Sequence, residues 1–205
     1  MDAALIFLRV TALFGPSLLG LVLRVWEWRG AAAPPPEPTA PTQERRGSTV
    51  PRAAFFVGGL VFCLALCLPL LSPGLGTFDL AMPVLLLLAA AGLLLVALGT
   101  AVALWARAVL GACWSTAPKA DAARELATSG PYAQVRHPVY LGVLVALVGD
   151  ALAFASWAAL LVGLAWVLPA LLWRAQVEER LLAEVYGEPY QRYRQRTSLL
   201  LPGLW

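Results

Sequence analysis

Two short stretches near the C-terminal end hold most of the side chains that could do chemistry. The first is GPYAQVRHPVYLG from Gly130, with Arg136-His137-Pro138-Val139-Tyr140-Leu141-Gly142 at its centre. The second, about forty residues on, holds Arg174, Glu178 and Glu179, then Tyr186-Gly187, Tyr190 and Tyr193. Proline is favoured at the first position of a helix, so Pro138 should open one, with His137 as its N-cap. The first amides of a helix have no internal partner, and the helix dipole makes that end positive. With the charge of Arg136 added, the helix start is expected to bind an anion. Arg174 and Glu178 stand four apart and can pair on one helical face. Adjacent Glu178 and Glu179 diverge by about 100°, so they cannot serve one partner identically. Taken singly, each residue has a plainer role. Arg136 would be a topology charge, Tyr140 an interface aromatic, His137 a structural group, and the later charges a solvated helix. Their combination and spacing point to a site.

The elements that must position these residues are set by hydropathy. The chain is 60% hydrophobic and 13% charged, with a mean hydropathy of +0.74. A soluble domain is about half apolar and about a quarter charged, so there is too little polar surface here to cover a globule in water. Residues 1–205 should fold as one membrane domain. The net charge is +3, and of the fifteen basic residues only Lys119 is not an arginine. Because the arginines flank apolar runs, bilayer topology is a better reading of the basic balance than nucleic-acid binding. The Ala, Leu and Arg bias suggests a GC-rich bacterial genome, hence a bacterial inner membrane. Cys63 and Cys67 lie one helical turn apart in an apolar segment and read as small packing groups. With Cys113 the only other cysteine and a single histidine, the sequence offers neither a tetrahedral zinc set nor a disulfide framework, and no metal is expected.

A spanning helix needs about 20 mostly apolar residues. Five stretches qualify or nearly do: about Ala3 to Leu23, Ala53 to Leu71, Leu80 to Leu104, the short Val139 to Ala155, and Trp157 to Trp173. The last should continue as helix beyond the membrane. The proline-crowded segment from Gly30 to Pro51 reads as a disordered cytoplasmic loop. Residues 1–105 thus carry three spans, and residues 106–205 carry the last two with the chemistry. The Ser72–Asp79 turn and the Ser156 turn hold no basic residue, whereas every other connection does. The positive-inside rule then places the N-terminus outside and the C-terminal helix in the cytoplasm. From His137 the chain goes out, turns near Ser156 and returns at about Arg174, so both clusters meet on the cytoplasmic face. Arg9 and Asp150, of opposite sign, lie at matched depth below the outer surface and are expected to pair.

Gly-Pro-Tyr, Arg-His-Pro-x-Tyr-x-Gly, a Glu-Glu pair and Tyr-Gly-x-x-Tyr-x-x-Tyr resemble the membrane methyltransferases of the isoprenylcysteine carboxyl methyltransferase and phospholipid methyltransferase superfamily. The likeness runs from about Leu110 to Pro202 and includes Trp114-Ser115, while the N-terminal half matches only in hydropathy. The resemblance implies an all-α membrane bundle without a Rossmann domain; the chain likewise has no strand–GxGxxG–helix unit. It implies a cytoplasm-facing S-adenosylmethionine site and a lipophilic acceptor, of isoprenylcysteine or similar lipid type, arriving from the bilayer. By similarity, Tyr132, His137, Pro138, Tyr140, Gly142, Glu178, Glu179 and Tyr190 would hold the cofactor, and Arg136, Arg174 and Glu178 would act on the reacting groups. Sterol and steroid reductases carry a similar Arg-His-Pro-x-Tyr segment but bind NADPH, and a non-enzymatic membrane scaffold is a third reading. The Glu178-Glu179 pair and the small size favour methyl transfer.

Overall fold

The computed structural model describes residues 4–12, 52–71, 75–111 and 126–203. Most of the expected first span, the 30–51 loop, Cys113, Trp114-Ser115, Lys119 and Arg124 lie outside them. Among the described residues every regular element is helical. Helix α1 covers residues 4–12, α2 Arg52–Leu71, and α3 Met82–Leu110. A single 3₁₀ turn, Gly130–Ala133, leads into α4, Pro138–Ala153. Helix α5 is Trp157–Tyr186, and α6 is Glu188–Arg196.

Helices α3 and α5, with 29 and 30 residues, are long and apolar enough to cross a membrane. Helix α4 and the Val57–Leu68 part of α2 are apolar but shorter. Helix α4 opens at Pro138 with His137 as its N-cap, as the proline predicts. Helix α5 runs on to Tyr186 and stops at Gly187, whose φ of 59° suits a residue without Cβ. Thus one helix carries both the fifth apolar run and Arg174, Glu178, Glu179 and Tyr186 of the second cluster, while Tyr190 and Tyr193 fall on α6.

The two turns without basic residues meet at one end. Phe78 N–H bonds the Ala155 carbonyl at 2.9 Å and Ala158 N–H bonds Gly76 at 3.2 Å. Ser156 is buried there; its hydroxyl donates to the Ala65 and Gly76 carbonyls at 3.3 Å and accepts from Ala159 N–H, capping α5. Phe62, Leu66, Val96 and Phe154 pack a core behind these turns.

Helices α3 and α4 are antiparallel and touch backbone to backbone. A Cβ on Gly99 would lie 2.4 Å from the Gly142 carbonyl oxygen, and one on Gly92 would lie 2.4 Å from that of Gly149. Seven residues separate the glycines on each helix, so the same face meets its partner twice.

The expected pair between Arg9 and Asp150 does not form. Arg9 instead donates to the carbonyls of Ala153 and Phe154, each at 3.2 Å, with its guanidinium over the Phe154 ring. These carbonyls end α4 and lack helical donors, so they draw a cation to a helix C-terminus. Asp150 stands one turn back, and its Oδ1 has no hydrogen-bond partner among the described residues. Arg9 still ties α1 to the α4–α5 hairpin, through backbone rather than through Asp150.

Candidate functional site

At the opposite end of α4 and α5 the two polar clusters converge. Glu179, buried on α5, is the hub. Its Oε1 accepts from Arg136 Nε at 2.9 Å and from the Tyr190 hydroxyl at 2.5 Å, and lies 3.2 Å from His137 Nε2. Its Oε2 faces Arg194 Nε at 3.5 Å. Glu178 holds a second set: its Oε1 accepts from the Tyr140 hydroxyl at 2.6 Å and from Arg174 Nε at 3.1 Å, while its Oε2 lies 3.6 Å from His137 Nδ1. The predicted Arg174–Glu178 pair therefore forms. The two glutamates also share His137 without serving it identically, one at each ring nitrogen.

His137 stacks parallel to Tyr140, with ring centroids 5.4 Å apart, and the Arg174 guanidinium lies over the Tyr140 ring. Burial by itself favours neutral imidazole, but hydrogen bonds and charges from Glu178 and Glu179 outweigh it and raise the His137 pKa. Burial, then the hydrogen bond to Glu179, pushes the Tyr190 hydroxyl well up, so it stays a donor. These are mutually oriented groups at the mouth of a membrane bundle, two of them carboxylates with different freedom.

The anion site expected at the start of α4 is not what Arg136 and the nearby amides make. Residues 197–201 lie across it as a strap. Arg136 N–H bonds Ser198 at 2.8 Å, His137 N–H bonds Leu199 at 3.1 Å, and Ser198 N–H bonds Gln134 at 3.1 Å. The Arg136 guanidinium adds bonds to the carbonyls of Arg194 and Thr197. Carbonyls thus occupy the place foreseen for an anion. Tyr132 is buried in the 3₁₀ turn, and its carbonyl accepts from the Tyr193 hydroxyl at 2.7 Å. Pro138 is fully buried under the turn. Gly142 is not brought to the cluster; it faces Gly99 on α3. The motif spacing located α4 but could not show which way each residue turns.

A cavity of about 620 Å³ adjoins the cluster, lined by α4, α5, Phe62 of α2 and Leu199–Leu201 of the strap. Sequence reasoning missed it because the strap reads only as a few leucines after α6. A sequence comparison bears on what such a site belongs to. The family model described as phospholipid methyltransferase (PEMT) matches residues 87–189, half of the chain. The chain belongs to the phospholipid methyltransferase family. No curated protein matches it.

The family region spans nearly all of α3 through α5 and includes His137, Tyr140, Arg174, Glu178 and Glu179. It starts earlier than the likeness read from motifs, at residue 87, and so takes in most of α3. It ends at residue 189, just short of Tyr190 and the strap. Membership in the phospholipid methyltransferase family implies methyltransferase activity in a membrane protein. Among the described residues two helices are long and apolar enough to span, and no group of three or more potential metal ligands occurs.

Proposed function

We propose that the protein is a membrane-embedded S-adenosylmethionine-dependent methyltransferase acting on a lipophilic acceptor. The carrying observation is the Glu178–Tyr140–Arg174 set placed beside an apolar cavity. The donor set fits the cofactor. S-Adenosylmethionine supplies a methyl group on a sulfonium, and also carries an ammonium, a carboxylate and ribose hydroxyls. Glu178 Oε2 has only the 3.6 Å contact to His137 among the described residues, which leaves it lone pairs for an ammonium or hydroxyl. The half-buried Arg174 and the more exposed Arg194 suit a carboxylate.

Glu179, saturated by internal donors, acts by holding Arg136, His137 and Tyr190 in place. The transfer itself needs alignment and exclusion of water more than acid–base work. A carboxylate acceptor is already ionised and needs orientation, which Arg174 can give. An amine acceptor must be neutral, and Glu178 can take its proton. The family match favours this reading over the NADPH reductase and the non-enzymatic scaffold. Calorimetric titration of the purified protein tests it. S-Adenosylhomocysteine should bind and NADPH should not; the reverse would replace the reading with the reductase, and binding of neither with the scaffold.

We further propose five spans in a bacterial inner membrane, with the N-terminus outside and the cluster facing the cytoplasm. The lack of any basic residue in the two turns at one end, against the arginines clustered at the other, supports it; Arg9 alone stands at the turn end. Cysteines placed at Thr77 and Gln195 should react with an impermeant maleimide from opposite sides. Labelling of both from one side would break the topology.

A further inference from the structure

Leu160, Leu164, Leu168, Leu172 and Gln176 all line the cavity. They follow one another at every fourth residue of α5, over a rise of about 24 Å. In an α-helix each such step over-rotates by about 40°, so four steps would carry the stripe far around the helix. Helix α5 takes back part of this drift. Residues Gly163–Val167 form a π-helical turn, in which Leu168 N–H bonds the Gly163 carbonyl five residues back. The wider turn rotates less per residue, and such turns are frequent at functional sites.

The stripe is apolar until its last member. Among the described residues that line the cavity only Gln176 has a polar side chain; it is exposed and makes no hydrogen bond to another described residue. It also stands at the end nearest the charged cluster. Gln176 precedes Glu179 by three residues, on neighbouring faces of α5. On α4, Tyr140 is followed at four and eight residues by Leu144 and Val148, both of which line the cavity. Leu199 lines it too, and its carbonyl accepts from His137 N–H. The cavity therefore changes from hydrocarbon to charge across a single neutral amide.

We infer that Gln176 grips the neck of the acceptor, donating a hydrogen bond to an uncharged carbonyl oxygen that joins its apolar chain to its reacting head. This rests on the methyltransferase reading and deepens it. A chain along the leucines needs no polar partner, and a charged head would be matched by Arg174 or Glu178. The link between them is where a neutral donor fits without bringing a charge into the apolar cavity. Acceptors with an ester-linked chain offer the exposed Gln176 a carbonyl oxygen at the cavity's polar end, whereas ether- or thioether-linked chains offer it none. Gln176 thus sets both the preference for a carbonyl and the depth at which the head stops.

The experiment is a competition in maltoside micelles with the full chain. A phosphatidylethanolamine with a diazirine in one acyl chain is photocrosslinked and the labelled peptides are identified. It competes with unlabelled diester phosphatidylethanolamine or with the dialkyl ether of the same chains and head. We expect label on α4 and α5 cavity residues, and about fivefold stronger competition by the diester, the size of one net hydrogen bond. In Gln176→Leu the two competitors should become equal through loss at the diester alone, with an unchanged melting temperature. Gln176→Met, unbranched and of similar length, should behave alike. No label in the cavity, equal competition in the wild type, or a preference retained in both variants would overturn the inference. Titration with S-adenosylhomocysteine judges the methyltransferase reading separately, since it does not depend on the lipid.

Discussion

Glu179→Gln is expected to weaken S-adenosylhomocysteine binding at least 100-fold and to cost about 3 kcal/mol of stability, the scale of breaking a buried ion pair. The reason lies in how many groups one carboxylate satisfies. Glu179 meets Arg136 Nε, His137 Nε2, the Tyr190 hydroxyl and Arg194 Nε. The side chains of Arg136 and His137 are only 7% and 6% exposed, so neither can turn to water when that charge goes. A neutral amide keeps an oxygen for one or two of these donors but turns an N–H₂ toward the rest. Glu178→Gln removes a more exposed carboxylate, so it should bind S-adenosylhomocysteine comparably weakly while losing less stability. Melting in detergent, read beside calorimetric affinity, separates the two. Equal melting temperatures for Glu179→Gln and the wild type would show that the hub holds nothing together.

The same variant should move the pH dependence. The folded pKa of His137 is raised above its ordinary value of about 6.5 by the two glutamates. Its contribution to stability is therefore fully present below that ordinary value and is lost as pH rises through the raised folded value. In Glu179→Gln one of the two charges is gone and the folded value falls. The contribution should then be smaller than in the wild type and its loss complete at a lower pH.

How far the sequence carries toward this arrangement depends on what spacing encodes. It encodes height along a helix. Pro138 marks where α4 starts, two apolar runs bring Glu178 back to the level of His137, and the pair at Arg174 and Glu178 follows from their four-residue separation. Rotation about the helix axis is much harder to read, because it is fixed by what packs against each face. Arg9 and Asp150 match in height, yet Arg9 ends on the carbonyls of Ala153 and Phe154. Gly142 sits inside the motif, yet it turns toward Gly99 and away from the cluster. The strap was hidden for a different reason. Its bonds from Arg136 and His137 to Ser198 and Leu199 join residues about sixty apart through backbone alone, and backbone pairing leaves little trace in residue type. The π turn at Gly163–Val167 likewise has no sequence sign beyond a stripe of every fourth residue that an α-helix would not keep straight.

Gly142→Ala and Gly99→Ala should each destabilise the protein by about 2–3 kcal/mol, although alanine is the better helix former by about 1 kcal/mol. In each case the added methyl has nowhere to go. At Gly142 it would lie 2.5 Å from the Gly99 carbonyl oxygen and 2.8 Å from Ala103 N. Both atoms belong to the α3 backbone, which cannot yield by changing a rotamer. The two helices must move apart, losing close backbone packing over their length, and small residues are what permit such packing between membrane helices. Gly142 follows His137 by little more than one turn, so a displaced α4 carries His137 and Tyr140 away from the glutamates of α5. A fall in S-adenosylhomocysteine affinity should accompany the lower melting temperature, since small misplacements are costly at an aligned site. The double variant should cost less than the sum of the singles, because one separation relieves both clashes. Gly59→Ala is the control: a methyl there meets nothing within 4 Å, so it should leave the protein unchanged or raise its melting temperature. If Gly142→Ala behaved like Gly59→Ala, α3 and α4 would not be in backbone contact, and the footing assigned to His137 and Tyr140 would be wrong.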